Sequence, residues 1–370
     1  MPIPPLPNEL VDQILSYRCL SKYDLLQACL VSKSWLEPSR KSLFHSVFFV
    51  LRKTDPDTST LSSPRTTYRL SSWSLLLFST LTQKPELAAL VKRVHLSLIT
   101  YDYGIPSSLF TTPADLLSSL LLLLPNSYSF SFGTDEWFAG DAYSSFLPHL
   151  RQIRKIKIWA CKEDRWLKIV AQLPNLRSLD VWFSREANPL TFLGRLKSRL
   201  EHLGIRSKDP QHLKVLTLGS ELSLRSLEVQ ENLLHALDLS RFPNLSQLSI
   251  RPRYRHDPSP LRDNIPFLVQ LAASTSLVKI DVPASLIRVT DENNGAFHNY
   301  LPSSCRRLDI GYPWTVNEIV SITAKDRGPR ISEIGLPNLS KILNTCADRL
   351  RRAGALAVAA EAGVEIVWLE

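Results

Sequence analysis

The chain has 370 residues and is poor in glycine and cysteine, and each shortage excludes classes of protein. Only 12 residues are glycine, and neither a GxGxxG nor a GxxxxGK[ST] motif occurs, so the sequence has no glycine-rich loop of the kind that binds nucleotide phosphates. The 5 cysteines are scattered without a CxxC pair. Such a sparse, odd-numbered set predicts neither a disulfide framework nor a zinc site, and we expect no metal and no other cofactor.

Long apolar runs and catalytic signatures are also missing. The N-terminus has proline and acidic residues where a signal peptide needs bases and an apolar run. The most apolar stretch, residues 116–124, is far shorter than the roughly 20 residues of a membrane span. The 8 histidines show no HExxH spacing, and no GxSxG motif occurs. We therefore expect a non-catalytic soluble protein of the cytoplasm, the nucleus or both, without a membrane partner.

The net charge of +9 suggests nucleic acid as a partner until the charge is divided by segment. Residues 101–150 contain five acids and no lysine or arginine, whereas residues 151–200 contain twelve bases and four acids. The excess is therefore local. A solvated basic flank, or pairing with the acidic block, explains it better than a nucleic-acid site.

The first fifty residues predict three short helices. Leu6, Leu10 and Ile14 recur at helical spacing, and Ser21 and Asp24 form a capping-box pattern ahead of a second apolar run. Ser32 is the predicted N-cap of the third helix. These helices contain more apolar residues than so small a core can bury, which indicates that part of the surface contacts a partner or the next domain.

The sequence of this region, LPNELVDQILSY…DLLQACLVSKSWLEPSRKSLFHSVFF, resembles the F-box, and particularly the F-box-like motifs of mushroom-forming fungi. The resemblance implies docking onto the Skp-family adaptor of a cullin–RING ubiquitin ligase. The positions that match the motif are Leu6, Pro7, Leu10, Ile14, Leu15, Leu25, Leu26, Leu30, Val31, Ser32 and Trp35. The chain departs from the family in the 18–23 loop, which is longer than usual and begins with Arg18 where many members have an apolar residue.

The rest of the chain repeats the phrase LxxLxL. It appears first at residues 91–96 and returns at 153–158, 176–181, 200–205, 224–229, 245–250, 277–282, 305–310 and 331–336, with a degenerate copy at the C-terminus. A period of about 20–29 residues with this phrase is typical of leucine-rich repeats, in which each turn is a strand and a return segment. We expect an α/β fold in which a short three-helix F-box precedes an irregular leucine-rich-repeat solenoid, with parallel strands on the concave face.

The predicted domains are an F-box-like domain at 1–50, a linker with a connecting helix at 51–89, and the solenoid at 90–370. Within them we expect helices at 73–82, 115–124 and 265–273, a further return helix at 342–353, and a hidden strand near 128–130. The phrases at 213–218 and 234–239 come half a step out of register. They are either short return strands or breaks in the repeat.

The residues that alternate with the consensus leucines should line the concave face. Their charges are mixed, six bases against five acids, which suits protein recognition better than a phosphate backbone. Trp159 and Trp182 occupy equivalent positions in adjacent turns, and they are either neighbouring binding anchors or already covered. The candidate substrate-binding residues are Lys157, Trp159, Asp180, Trp182, Arg206, Glu228, Gln230, Arg251 and Asp309.

Two functions remain open from the sequence. The first is a substrate-recognition subunit of an SCF-type cullin–RING ubiquitin ligase, whose F-box binds the Skp-family adaptor and cullin complex and whose repeats bind an unidentified protein substrate. The second is a non-catalytic repeat scaffold or binding module in which the F-box-like segment is only a structural cap. An enzyme is a distant third, because Cys161 has no predictable histidine partner and suits a core position.

Overall fold

The computed structural model describes residues 7–15, 20–54, 67–99, 113–134, 151–161, 165–184, 196, 198–251, 265–283, 301–310, 341–344 and 365–368. The chain divides into two compact units, Met1–Leu176 and Arg177–Glu370. Each unit combines helices with parallel strands, which confirms the mixed α/β class and the short helical N-terminus. The domain boundaries predicted at 50 and 90 stay predictions.

Three helices open the first unit: α1 at Asn8–Leu15, α2 at Lys22–Val31 and α3 at Lys33–Phe44. The predicted capping box is present. The Asp24 backbone N–H donates to Ser21 Oγ at 3.2 Å, and the Ser21 backbone N–H donates to the Asp24 carboxylate at 2.7 Å. Both bonds satisfy N–H groups that a helix start otherwise leaves without an intrahelical partner. Both α1 and α2 contact α3.

A small apolar cluster holds these helices together. Residues one helical turn apart supply it, Val11 with Leu15 from α1 and Leu25 with Ala28 from α2. The partly buried side chains that pack against the cluster are Leu20, Trp35 and Leu43. The cluster uses one stripe of each helix, so the second apolar stripe of α1 and α2 lies outside this core.

The first unit continues as a sheet with helical connections. Its elements are β1 at Ser46–Thr54, β2 at Thr67–Leu70, α4 at Ser72–Gln83, α5 at Pro85–Ala88, β3 at Arg93–Ile99, α6 at Pro113–Leu123, β4 at Ser129–Phe132, β5 at Lys155–Cys161 and α7 at Arg165–Val170. The strands β1, β3, β4 and β5 pair in parallel in that order, and β2 pairs antiparallel with the outer side of β1. The helix α4, the leucine-rich helix α6 and the hidden strand β4 confirm their predictions.

The second unit repeats strands along the chain. Its elements are β6 at Ser178–Phe183, β7 at His202–Arg206, α8 at Pro210–Thr217, β8 at Ser226–Gln230, two 3₁₀ helices at Glu231–Ala236 and Leu239–Arg241, β9 at Gln247–Arg251, α9 at Ile265–Ala273, β10 at Lys279–Val282, β11 at Arg307–Ile310, β12 at Lys341–Asn344 and β13 at Glu365–Trp368. Each strand pairs in parallel with the next. The in-register residues Leu179, Leu203, Leu227 and Leu248 form one buried row.

Three details differ from the sequence predictions. The half-step phrase at 213–218 lies largely in α8 and that at 234–239 in the 3₁₀ helices, so return strands were the wrong interpretation. The strand β12, at Lys341–Asn344, pairs with β11, so a strand is present where a helix was predicted to start at residue 342. The phrase at 331–336 lies outside the described residues. Within the part of the chain that is described, no helix is both long and apolar enough to cross a membrane.

Candidate functional site

The helices α1 and α2 each present a second apolar stripe to solvent. Leu10 and Ile14 lie one turn apart on α1, adjacent in sequence to the buried Val11 and Leu15, and both are exposed. On α2, Leu26 is 50% exposed and Leu30 is 80% exposed, again one turn apart. An amphipathic helix of a monomer normally turns a polar face to water, so these stripes are candidates for contact with a partner.

The structure divides the predicted adaptor-binding residues into two groups. Leu10, Ile14, Leu26, Leu30, Val31 and Ser32 are exposed, as is Pro7. Leu15 and Leu25 are only 4% and 8% exposed, and Trp35 packs against the same cluster, so these three support the fold rather than offer a free surface. Leu6 and Arg18 lie outside the described residues.

One exposed aromatic was missed in the sequence. Tyr23, in the first turn of α2, is among the exposed large apolar residues of the three-helix region. Its place between Ser21 and Asp24 of the capping box was a usable signal, because only the first and last residues of the box take part in the capping bonds. The hydrogen bond from the Ser21 side chain lowers the pKa of Asp24 below its ordinary value. The box therefore keeps a negative charge at the N-terminus of α2, where the helix dipole favours it.

The second unit has a polar network on the sheet face opposite the buried leucine row. Arg206 Nη2 donates to Glu228 Oε1 at 2.9 Å, and Arg251 Nη2 donates to Glu228 Oε2 at 3.2 Å. Arg251 Nη1 also lies 3.4 Å from Asp281 Oδ2, which accepts from Ser249 Oγ at 2.9 Å. The network thus crosses from β7 to β10 and fixes several long side chains in one arrangement.

Glu228 is the centre of this network. Burial alone would raise the pKa of Glu228, but the hydrogen bonds from Arg251 and Arg206 outweigh it and hold the pKa below the ordinary value of 4.5. The carboxylate therefore stays ionised at neutral pH. Gly204, on the strand next to β8, has no side chain, so the Asp180 carboxylate can lie close to its backbone. A Cβ at position 204 would stand only 2.8 Å from Asp180 Oδ1.

The two candidate tryptophan anchors are half-buried, and each ring is covered by a cation of its own unit. The Arg206 guanidinium carbon lies 3.5 Å from the centre of the Trp182 ring. Lys157 Nζ lies 4.3 Å from the centre of the Trp159 ring, whose Nε1 donates to Ser131 Oγ at 3.3 Å. A stacked cation stabilises such a ring and covers one of its faces.

The remaining predicted substrate contacts are unevenly placed. Gln230 is buried, so its predicted place on an accessible face is wrong. The side chain of Asp309 lies outside what the structure describes, although its backbone belongs to β11. Ser249 and Asp281 belong to the network but were not among the predicted contacts. Their alternation with Leu248 and Ile280 in the LxxLxL phrase was the signal for them.

One cluster of the second unit contains serine, histidine and aspartate, as a catalytic triad does, but its serine and histidine are buried. His212 Nδ1 and Ser207 Oγ are 2.6 Å apart, and His212 Nε2 lies 3.7 Å from Asp209 Oδ2. Ser207 and His212 are 3% and 1% exposed, and burial lowers the pKa of His212. Because a substrate cannot reach these atoms, the cluster anchors the start of α8. No group of metal-binding side chains occurs among the described residues.

Comparison with known proteins identifies the N-terminal helices. Residues 3–50 match the family model described as F-box-like, and this range contains α1 to α3 and the start of β1. No curated protein matches the chain. F-box domains generally bind Skp-type adaptors, and as a family they are typically non-catalytic adaptors of ubiquitin ligases. The first unit therefore contains an F-box-like domain, followed by parallel strands.

Proposed function

We propose that this chain is a substrate-recognition subunit of an SCF-type cullin–RING ubiquitin ligase. The observation that carries the proposal is the second apolar stripe of α1 and α2, exposed within a segment that matches the F-box-like model. Burial of one large apolar side chain contributes about 1.5–3 kcal/mol, so a few of these residues suffice for stable docking of a Skp-type adaptor. The chain would act in the cytoplasm, the nucleus or both.

The parallel strands would then present the substrate. We propose that they form an irregular leucine-rich-repeat solenoid, and the in-register rows of leucines support this reading. The polar network around Glu228 gives the second unit a fixed pattern of charges, which suits selection of a protein partner. Such a subunit contributes positioning and effective concentration, because ubiquitin transfer takes place elsewhere in the ligase.

The adaptor contact is tested with the full chain immobilised and a purified Skp-type adaptor. Leu10→Ala with Ile14→Ala should abolish recovery of the adaptor, because both side chains are exposed and neither supports the helical core. The matched control is Trp73→Ala with Leu76→Ala, which removes two exposed apolar side chains from α4. This control should retain the adaptor.

Two other results would contradict the proposed adaptor contact, and the first of them would favour the alternative function. If the adaptor is not recovered with the unaltered chain, the F-box-like segment is a structural cap of a scaffold or binding module. Equal loss with both pairs of substitutions would show that non-specific apolar contact, rather than the stripes of α1 and α2, holds the adaptor.

A further inference from the structure

The exposed apolar stripe of α2 begins with an aromatic side chain. Tyr23 precedes Leu26 by three residues and Leu30 by seven, and all three side chains are exposed, that of Tyr23 by 68%. At about 3.6 residues per turn, these positions fall within about 60° of the helix circumference. The buried residues of the same helix, Leu25 and Ala28, belong to the apolar cluster instead. Tyr23 therefore continues the surface of Leu26 and Leu30 toward the start of α2.

The capping box fixes the backbone on both sides of Tyr23. The Ser21 N–H and the Ser21 hydroxyl each donate to the Asp24 carboxylate at 2.7 Å, and the Asp24 N–H donates to Ser21 Oγ at 3.2 Å. The Leu25 N–H also donates to the Ser21 carbonyl oxygen at 3.1 Å. A contact residue on a backbone that is already ordered loses less conformational freedom on binding, which favours affinity.

The chemistry of tyrosine suits the end of an apolar contact. The ring supplies a large and rigid apolar area, and the hydroxyl supplies a polar tip, so the side chain fits a place where one end is apolar and the other is wet. The neighbouring residues Lys22 and Asp24 are both exposed, so the edge of the stripe at this point is polar. The ring can therefore pack on a partner while the hydroxyl stays in water.

The position of Tyr23 favours the adaptor as the partner that covers it. Tyr23 lies inside residues 3–50, which match the F-box-like model, and its stripe includes Leu26 and Leu30 of the proposed adaptor contact. A partner that packs on these two leucines meets the Tyr23 ring one helical turn away. Tyr23 is not among the positions that match the F-box motif, so the resemblance alone assigns it no contact.

We infer that Tyr23 is an anchor of the adaptor contact at the N-terminal end of the α2 stripe. Its ring packs against the Skp-type adaptor beside Leu26 and Leu30, and its hydroxyl lies at the solvated edge of the contact. The inference rests on the proposed function for the identity of the partner. It adds to that function a contact residue outside the F-box motif, and it extends the contact surface by about one helical turn.

The test is a calorimetric titration of the full chain with a purified Skp-type adaptor. Tyr23→Ala should weaken the affinity by about tenfold, because it removes the ring from the contact. Tyr23→Phe keeps the ring and should stay within about threefold of the unaltered chain. The matched control is Trp73→Ala, which removes an 81% exposed aromatic side chain from α4 and should bind the adaptor like the unaltered chain.

A further variant, Tyr23→Glu, separates a contact from an effect on the helix. Alanine is a better helix former than tyrosine, and a negative side chain in the first turn interacts favourably with the helix dipole. Neither substitution should therefore reduce the helical circular dichroism signal. Tyr23→Glu should nevertheless weaken the affinity more than Tyr23→Ala, because it carries a charge into an apolar contact. If Tyr23 only supported the helix, Tyr23→Glu would bind at least as well as the unaltered chain, which would overturn the inference.

The remaining outcomes distinguish this inference from the proposed function. If Leu10→Ala with Ile14→Ala abolishes binding while Tyr23→Ala leaves the affinity unchanged, the proposed function stands and the inference is overturned. Equal losses in Tyr23→Ala and Trp73→Ala, or in Tyr23→Ala and Tyr23→Phe, would also overturn it. So would self-association of the full chain that Tyr23→Ala removes in light scattering, since a second copy would then cover the ring. An unaltered chain that does not bind the adaptor contradicts both the function and the inference.

Discussion

At the scale of single residues, the charge of Glu228 depends on its two arginine partners. Arg206 and Arg251 come from strands on either side of β8, so the carboxylate joins three strands through side chains alone. When a partly buried carboxylate loses such partners, its own desolvated charge remains without compensation. The same holds for an arginine that loses its carboxylate partner. The arrangement therefore stabilises the face only while every member is present and ionised.

We expect Glu228→Gln to lower the free energy of unfolding by about 1–3 kcal/mol at pH 7. The folded-state pKa of Glu228 lies below its ordinary value of 4.5, so its contribution is present above pH 4.5 and is lost as the pH falls through the folded-state pKa. The difference between variant and unaltered chain should therefore shrink in acid. Urea unfolding at pH 7 and in acid measures it.

The control for this prediction is Glu201→Gln. Glu201 pairs with Arg177 at 3.2 Å, but both side chains are largely exposed, and such surface pairs contribute only about 0–1 kcal/mol. Equal destabilisation by the two substitutions would contradict the central place of Glu228 in the network.

At the scale of elements, the start of α2 is set by its cap. Ser21→Ala removes the side-chain bond to the Asp24 N–H and should cost the helix about 1 kcal/mol. Hydrogen exchange of residues 22–31, followed by mass spectrometry, should accelerate. Ser32→Ala is the matched control, since Ser32 precedes α3 without donating or accepting a capping bond, and it should leave exchange unchanged. Faster exchange in the control alone would show that the cap has been misassigned.

The sequence predicted strands better than the connections between them. The LxxLxL phrase marks β5 to β11 because it places two buried leucines on one face, and the same periodicity fixes the row of Leu179, Leu203 and Leu227. It did not decide between a return strand and a break in the repeat at residues 213–218, where LKVLTL also alternates. Asp209 as N-cap and Pro210 in the first turn outweigh that alternation and start the helix α8.

The candidate sites could be predicted only in part, for a related reason. Apolar spacing locates α1 and α2 but does not say which of two stripes is buried, because that choice depends on how each helix meets α3. Leu15 and Leu25 therefore appeared as contacts although they form the core. The link from Arg251 to Asp281 likewise depends on strand register across a long insertion, which the sequence does not specify.

At the scale of the whole molecule, the net charge of +9 is distributed unevenly along the chain. The strand sequences of the first unit contain lysine and arginine but neither aspartate nor glutamate, whereas in the second unit Arg206 and Arg251 pair with Glu228 and Asp281. The exposed apolar stripes of α1 and α2 form a third surface, and burial of this surface does not depend on charge.

The most direct test of the account is a calorimetric titration of the full chain with a purified Skp-type adaptor. Burial of the stripes of α1 and α2 predicts one-to-one binding with a negative heat-capacity change. Leu10→Ala with Ile14→Ala should weaken the affinity by about 100-fold, or about 2.7 kcal/mol. Absence of binding, or an affinity that this double substitution leaves unchanged, would contradict the proposed role of the F-box-like helices.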